Sequence, residues 1–511
     1  MAIKEKLSHH LHNPSYISLI VVLAGVTFRL RQFSINRSLW LDEAALANNV
    51  VTHSWSFLLT HTLTTDQTAP GGFLLLLKLS GKLSGYRDII LRIVPLCFGL
   101  AALPMAVKLK NRFKTPLAQY LFIGLIASSP ILIYYSSEVK QYIVDVFFLI
   151  YLIWVGLSFQ KWKYGYVILA FSGVVAIFTS SPSVFILFAV GTFATLQSYQ
   201  RRDWQSIKKL TVVGFSWILL FGLLYWIIYR NVLQGSSLTS MWNNSFAPLP
   251  NSLAHINWYL DSFLGLTYIG FSPPSPVPMG ILASWFTLSN ILIFIGFILG
   301  GFAFYRQDRD WLILNLLIIA STLIASFFHL YPFQSRPILF LIPIIFSFLC
   351  TFIDYLGSIK SPIINLTRII TSILLLGLVF TPASNLFLHP IDQENIKAAL
   401  NFVVNHKESG DHISISIWDE QAIQFYSRFY AIKDLKQSAP VSYDFNPNVY
   451  IDDICNGQLF GRTWVIFAHR FFQRNNLLPL IEAKTPLLLS WESTSSGVYL
   501  FNFDRDTLCQ R

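Results

Sequence analysis

"APGGFLLLLKLSGKLSG" occupies residues 69–85, and its reading sets the sidedness of everything that follows it. Counted as a membrane span, it would carry "KLKNRFK" (108–114) to the opposite side from Lys4 and Lys6 and break the charge pattern downstream. The stretch is short, and Lys78 and Lys82 stand i,i+4 on one helical face. It therefore reads as an amphipathic helix in the outer interface rather than as a span. Residues 34–86 then form one structured outer loop.

Working outward, the chain of 511 residues is 54% hydrophobic and 12% charged, about half the charge of a soluble domain. Apolar runs near the ~20 residues needed to cross a bilayer recur through the first three quarters. They are too continuous for the alternating strands of an outer-membrane barrel. The fold class is thus mainly α, a polytopic transmembrane helical bundle. Spans fall near 14–33, 88–107, 116–134, 142–159, 164–180, 183–199, 210–229, 280–304, 311–330, 337–356 and 368–387, about eleven at the usual length.

The net charge of +11 is unevenly spread. Residues 1–388 hold 26 Lys+Arg against 12 Asp+Glu, whereas 389–511 hold 11 against 14. The excess lies in the membrane part and is a topology signal, so no nucleic-acid partner is expected. Alternate connections carry Lys4 and Lys6; Lys108, Lys110, Arg112 and Lys114; Lys161 and Lys163; Arg201, Arg202, Lys208 and Lys209; Arg306 and Arg309; Lys360 and Arg368. The positive-inside rule puts these in the cytoplasm, the N-terminus with them, and the C-terminus outside. The basic, apolar N-terminus resembles a signal peptide, but Arg29 and Arg31 follow where a small-residue cleavage site would stand, so it is kept as the first span.

Two domains are expected. Residues 1–388 form the membrane domain, with outer loops 34–86 and 230–279, the second rich in Pro, Asn and Ser and carrying Trp242, Trp258 and Tyr259. Residues 389–511 form a small extracytoplasmic α/β domain, expected to guide an acceptor or cover a cavity and to contribute none of the core acids. There "DQENIKAALNFVVNHKESG" has helical spacing, while "HISISIW", "TWVIFAH" and "GVYLFNFD" read as strands. Cys455 and Cys509 lie in that domain, where an oxidising compartment permits a disulfide, although spacing does not establish one. Cys97 and Cys350 sit in spans as small packing residues.

Charges near membrane depth are costly unless they serve something. Four places on the outer side hold polar groups: Asp42-Glu43, "YYSSEVKQY" (134–142), "SSPS" (180–183) and "YPFQSR" (331–336). Together they offer carboxylates (Asp42, Glu43, Glu138), cations (Lys140, Arg336) and phenols (Tyr134, Tyr135, Tyr142). That mix suits a phosphate-bearing substrate attacked by a hydroxyl. Arg336 and Lys140 can neutralise phosphate oxygens, the first bidentately and the second as a point charge. A carboxylate can take the proton from the hydroxyl, or two can hold a divalent cation. The plain readings stand beside these. Asp42 suits the N-cap of a helix beginning at Glu43. Glu138 and Lys140 suit solvated ends, Arg336 an interfacial anchor, and His53 and His61 polar surface positions.

The pattern as a whole resembles the polytopic GT-C glycosyltransferases, in the group of protein O-mannosyltransferases and aminoarabinose transferases. The matching segments, in order, are "WLDEAALA", "TAPGGFLLLLKLSGKLSG", "RDIILRIVPLCFGL", "SSEVKQY" and "YPFQSRPILFLIP", spread over roughly 14–356. The resemblance implies an inverting transfer of a sugar from a polyprenyl-phosphate donor to a glycan, lipid or protein acceptor at the outer face of a bacterial inner membrane. It implies Asp42 as general base or metal ligand with Glu138 assisting, and Lys140, in place of the usual Arg, with Arg336 on the donor phosphate. Glu43, Tyr142 and the 230–279 loop would shape the pocket. No cofactor is required by this reading beyond an optional divalent metal ion at Asp42 and Glu138. A transporter or flippase of lipid-linked sugars and a non-catalytic scaffold are the rival classes. Most mid-span residues are apolar, which counts against transport.

Overall fold

The structure, a computed structural model, describes residues 14–234, 240, 242–272, 288–416, 418–433, 435–437, 447–457, 459–467 and 477–509. The chain divides into two compact units, Met1–Ile35 with Ser54–Pro390, and Asn36–His53 with Ile391–Arg511. The start of outer loop 34–86 is grouped with the C-terminal unit.

The first unit is helical, and the protein is a mainly α polytopic membrane protein. Among the described residues, eight helices are long and apolar enough to cross a membrane: Tyr16–Ser34, Asp88–Arg112, Tyr142–Lys161, Trp204–Val232, Ser289–Gln307, Arg309–Phe327, Arg336–Leu356 and Pro362–Leu388. The other three expected spans are helical too, but Pro130 breaks one into Pro116–Ser128 and Pro130–Tyr135. Gly165–Thr179 has only 15 residues, and Ser183–Gln200 ends in a polar turn. Residues 280–287 of the expected 280–304 span lie outside the described residues.

The decisive stretch forms the helix Gly71–Ser84, ended by Gly85 at φ +77°, a left-handed cap that glycine adopts without a Cβ penalty. Its 14 residues extend about 21 Å, short of the ~30 Å hydrocarbon core, so it does not cross. Gly72 lets its backbone approach helix Gly165–Thr179, because a Cβ there would stand 2.7 Å from the Phe178 carbonyl oxygen.

The basic connections meet at one end of the bundle. Arg112 pairs with Asp308, and Asp354 accepts the Lys114 and Thr115 amides at 2.8 and 2.7 Å. Gln197 donates to Asp310, and Arg201 to Gln160. This mutual contact is what alternation of charged connections requires.

Arg29 has a structural reason to be charged inside a span. Pro130 has no N–H, so the Ile126 carbonyl four residues earlier loses its helical partner. Arg29 is fully buried and donates to Ile126 O at 3.1 Å and to Ala127 O at 3.0 Å. A guanidinium from the first span thus completes the broken helix, and the break turns Pro130–Tyr135 toward the next turn.

The second unit is a five-stranded mixed sheet with helices. Its strands are β1 (His412–Ile415), β2 (Lys436–Gln437), β3 (Gly461–Phe467), β4 (Leu487–Glu492) and β5 (Gly497–Phe503), in spatial order β2-β1-β3-β5-β4. β1 is parallel to β2 and β3, whereas β5 is antiparallel to β3 and β4. The three strands and the helix Ile396–His406 expected from patterning are present. β4 alternates exposed and half-buried residues, which suits an edge strand. Cys455 and Cys509 form a disulfide, Cα–Cα 6.0 Å, beside a core of Tyr450, Ile454, Leu477, Tyr499 and Phe501.

Candidate active site

The sequence-predicted site residues fall in both units. In the first, residues 136–141 form tight turns between helices Pro130–Tyr135 and Tyr142–Ser158, with the Lys140 amide 2.7 Å from the Glu138 carbonyl. Glu138 is 0% and Lys140 5% exposed, so neither is a solvated helix end. Lys140 Nζ donates to Gln67 Oε1, just before the interfacial helix. Gln141 donates to the Thr68 carbonyl at 3.4 Å. The segment preceding "APGG" is thereby fastened to the Glu138 turn.

Arg336 begins the apolar helix Arg336–Leu356, and its guanidinium lies 6.0 Å from the Tyr142 ring centroid. Tyr142 meets Tyr135 edge to face at 5.1 Å, and Tyr135 meets Tyr134 at 5.4 Å. Glu138, Arg336 and Tyr142 all act electrostatically on Tyr135. One acid, one guanidinium and three phenols are gathered as the outer-side motifs imply. Ser335, directly before Arg336, holds φ 61° and ψ −143°, a backbone conformation costly for a residue with a side chain. Strain is thus stored beside the guanidinium.

The described part of the 230–279 connection is more ordered than a loop. It contains the helix Leu253–Ile269, capped by Ser252, while 235–239, 241 and 273–279 lie outside the described residues. It grips the segment before Arg336. Gln334 donates to Ser262 at 2.7 Å, the Phe333 amide to Ser245 O at 2.8 Å, and Phe263 packs on Phe333.

Asp42 and Glu43 lie in the second unit, on helix Leu41–Thr52. The helix begins two residues earlier than the capping reading needs. Trp40 is its N-cap, with no side-chain cap bond, and Asp42 sits within the first turn, where the dipole favours an anion. The capping work comes from elsewhere in the unit. Glu394 Oε2 accepts the Leu41 amide at 3.0 Å. Tyr426 Oη accepts the Leu39 amide at 2.8 Å, and Asn48 donates to the Gln421 carbonyl at 2.9 Å. Glu43 is fully buried and pairs with Arg37 at 3.7 Å.

Glu394, from the 389–511 region, thus stands beside the helix that carries Asp42 and Glu43. Burial, then the charge of Asp419, pushes the Glu394 carboxyl well above its usual range, with Asp42 and Glu43 adding to the rise and the Leu41 amide opposing it. Nothing local in the sequence marks Glu394 as their neighbour. A further buried acid, Asp145, stands in the first turn of helix Tyr142–Ser158, and its signal was a lone carboxylate in the apolar run "YIVDVFFLIY". His61 is exposed, stacked on Phe57. Among the described residues, no group of three or more His, Cys, Asp or Glu side chains can hold a metal ion.

No protein-family model matches this sequence, and no curated protein matches it. Solved structures do. ArnT from Cupriavidus metallidurans bound to undecaprenyl phosphate matches with TM-score 0.53 at 11% identity, covering 96% of this chain and 98% of that one. The Archaeoglobus fulgidus oligosaccharyltransferase matches in its apo form with TM-score 0.51 at 13% identity, covering 96% of this chain and 74% of that one. The same enzyme tethered to an acceptor peptide with the NVT sequon matches with TM-score 0.51 at 13% identity, covering 95% and 74%. The likeness to GT-C glycosyltransferases read from the motifs is met in the fold of the chain.

Proposed function

We propose that this protein is an integral-membrane glycosyltransferase that moves a sugar from a polyprenyl-phosphate donor to an acceptor at the outer face of the membrane. The fold it shares with ArnT, which binds undecaprenyl phosphate, supports the class. The observation that carries the reading to this chain is the burial of Glu138 and Lys140 in one turn, with Arg336 over Tyr142 nearby. A buried acid among cations and phenols is expensive to maintain and suits a phosphate leaving group better than a packing role.

In this reading Arg336 and Lys140 hold the donor phosphate and take up its charge as the sugar departs. Asp42, in the first turn of its helix, accepts the proton of the acceptor hydroxyl. Glu43 and Tyr142 shape the pocket. No step is routed through a metal. The basic connections face the cytoplasm and the second unit lies outside, where its disulfide is chemically at home. The test is purified protein in lipid nanodiscs given undecaprenyl phosphate carrying a labelled sugar, with release of undecaprenyl phosphate as the readout. Absence of release across pentosyl, hexosyl and N-acetylhexosaminyl donors, with cell-envelope glycolipids and peptides as acceptors, would sink the assignment.

A further inference from the structure

Asp145 takes no part in the mechanism above, yet it is 3% exposed and one helical turn beyond Tyr142. Ser180 lies close enough to interact with it, yet among the described residues neither Asp145 Oδ1 nor Ser180 Oγ completes a hydrogen bond of normal geometry. Ser183 Oγ, three residues on and 0% exposed, is equally unsatisfied. The loop is held so that the Ser183 amide reaches the Ser180 carbonyl at 3.3 Å. Buried polar atoms in native proteins are almost always paired, so a loosely met carboxyl–hydroxyl pair beside an unsatisfied serine calls for a ligand or ordered water to complete it.

The surroundings narrow the ligand. Tyr229 and Tyr331 both lie within electrostatic range of Asp145, and Tyr331 also of Tyr142, so the cluster adjoins the Arg336–Tyr142 pair. Tyr331 spends its proton on the Pro337 carbonyl at 2.9 Å and offers its oxygen as an acceptor. A carboxyl group offers acceptor oxygens whether or not it carries a proton, while serine hydroxyls both donate and accept. A phosphate calls for cations, and Asp145, Ser180 and Ser183 supply none. A ring bearing several hydroxyls would donate to Asp145 and satisfy both serines.

We propose that Asp145, Ser180 and Ser183 form the subsite that binds the hydroxyls of the donor's sugar, next to the groups that hold its phosphate. This deepens the proposed function and rests on it. It makes these residues determinants of sugar identity, because a site built to bond a hydroxyl rejects ligands that lack it.

The experiment titrates full-length protein in nanodiscs with undecaprenyl phosphate alone and with the same lipid carrying a pentose, a hexose or an N-acetylhexosamine. Wild type is expected to bind one glycosylated lipid more tightly than the bare lipid. Asp145→Asn and the milder Ser180→Ala should each weaken that lipid about tenfold or more and leave bare undecaprenyl phosphate unchanged. Equal weakening of both ligands, or no change in either variant, overturns the subsite while the donor reading stands. Wild-type protein that does not distinguish any glycosylated lipid from the bare one overturns it too. Failure of wild type to bind any of these lipids overturns the proposed function itself, and the subsite with it.

Discussion

Glu394 accepts the Leu41 backbone amide at 3.0 Å, so a carboxyl oxygen more than 350 residues away completes the first turn of the helix that carries Asp42. The bond separates two jobs that the sequence leaves merged. An acid at the start of a helix can cap it or do chemistry, and here the capping belongs to Glu394.

That separation makes Asp42→Asn informative. Asn keeps the shape of Asp and removes its charge, and Asp42 is not the N-cap. The loss in stability should stay under about 1 kcal/mol, the scale of a first-turn anion in the helix dipole. Transfer should fall roughly 10²–10⁴-fold if Asp42 is the base. Glu394→Gln is the contrasting variant, since an amide oxygen can still accept the Leu41 amide. The two are compared by release of undecaprenyl phosphate and by thermal unfolding. Near-normal transfer by Asp42→Asn would remove it from the chemistry.

The raised carboxyl of Glu394 makes a signed statement about pH. In the folded unit it holds its proton to a higher pH than in the unfolded chain, where an ordinary Glu titrates near 4.3. The folded state therefore binds more protons through that window, and stability falls as pH rises from the ordinary value through the raised one. The contribution is fully present below that window. Asp419, Asp42 and Glu43 are the acids whose charge sharpens the effect, and the Leu41 amide opposes it. Unfolding of the second unit in the full-length protein, followed from pH 4 to 8, should weaken with rising pH, and Glu394→Gln should flatten the profile. A Gln variant with an unchanged slope would show that other groups set it.

Arg336→Lys keeps the positive charge and loses both the planar fork and the guanidinium over Tyr142. Donor use should weaken through KM for the polyprenyl-phosphate sugar, with the fold intact. Tyr142→Phe, which retains the ring, should be milder than Tyr142→Ala. Equal transfer by wild type and Arg336→Lys would reduce Arg336 to an interfacial anchor.

The disulfide closes a loop across a sequence separation of 54. Loop-closure entropy of that length corresponds to about 4 kcal/mol, of which real proteins often realise less. Cys455→Ser should lower the unfolding free energy of the second unit by about 2–4 kcal/mol, measured by denaturant titration without reductant. Wild type with reductant should match the variant. Helix Leu41–Thr52 belongs to the same compact unit, so amide exchange at Ala44–Val50 should quicken in step. Unchanged exchange there would show that the helix and the sheet unfold independently.

What the sequence discloses depends on how local the determining interaction is. Spans follow from runs of apolar residues, and β1, β3 and β5 follow from alternation within seven or eight residues. Glu138 and Lys140 are legible as a charged turn between two apolar runs, though their burial is not, because it depends on Gln67 and the helices packed around it. Arg29 can be seen as a misplaced charge, but its reason lies in Pro130, a hundred residues on. The union of Asn36–His53 with the C-terminal unit rests on bonds spanning 353–387 residues, for which no periodicity exists. Asp145 is the reverse case. Its signal, one carboxylate in an apolar run, was local and is the kind that membrane energetics makes informative.

The sidedness of the bundle rests on residues 69–85 and is open to direct measurement. Helix Gly71–Ser84 is too short to cross, so the connection 108–114 should share a side with Arg306, Arg309 and Lys360. The Arg112–Asp308 pair and the bonds from Asp354 to Lys114 and Thr115 already require one common end. By the positive-inside rule that end is expected to be cytoplasmic. A protein lacking Cys97 and Cys350, with one cysteine introduced by Asn111→Cys, should resist a membrane-impermeant maleimide in intact spheroplasts and react after lysis. A cysteine at Ser84, at the end of the interfacial helix, should react before lysis. Labelling of position 111 from outside would invert the bundle, place Glu138 and Arg336 on the cytoplasmic side, and remove the basis for an outward-facing donor site.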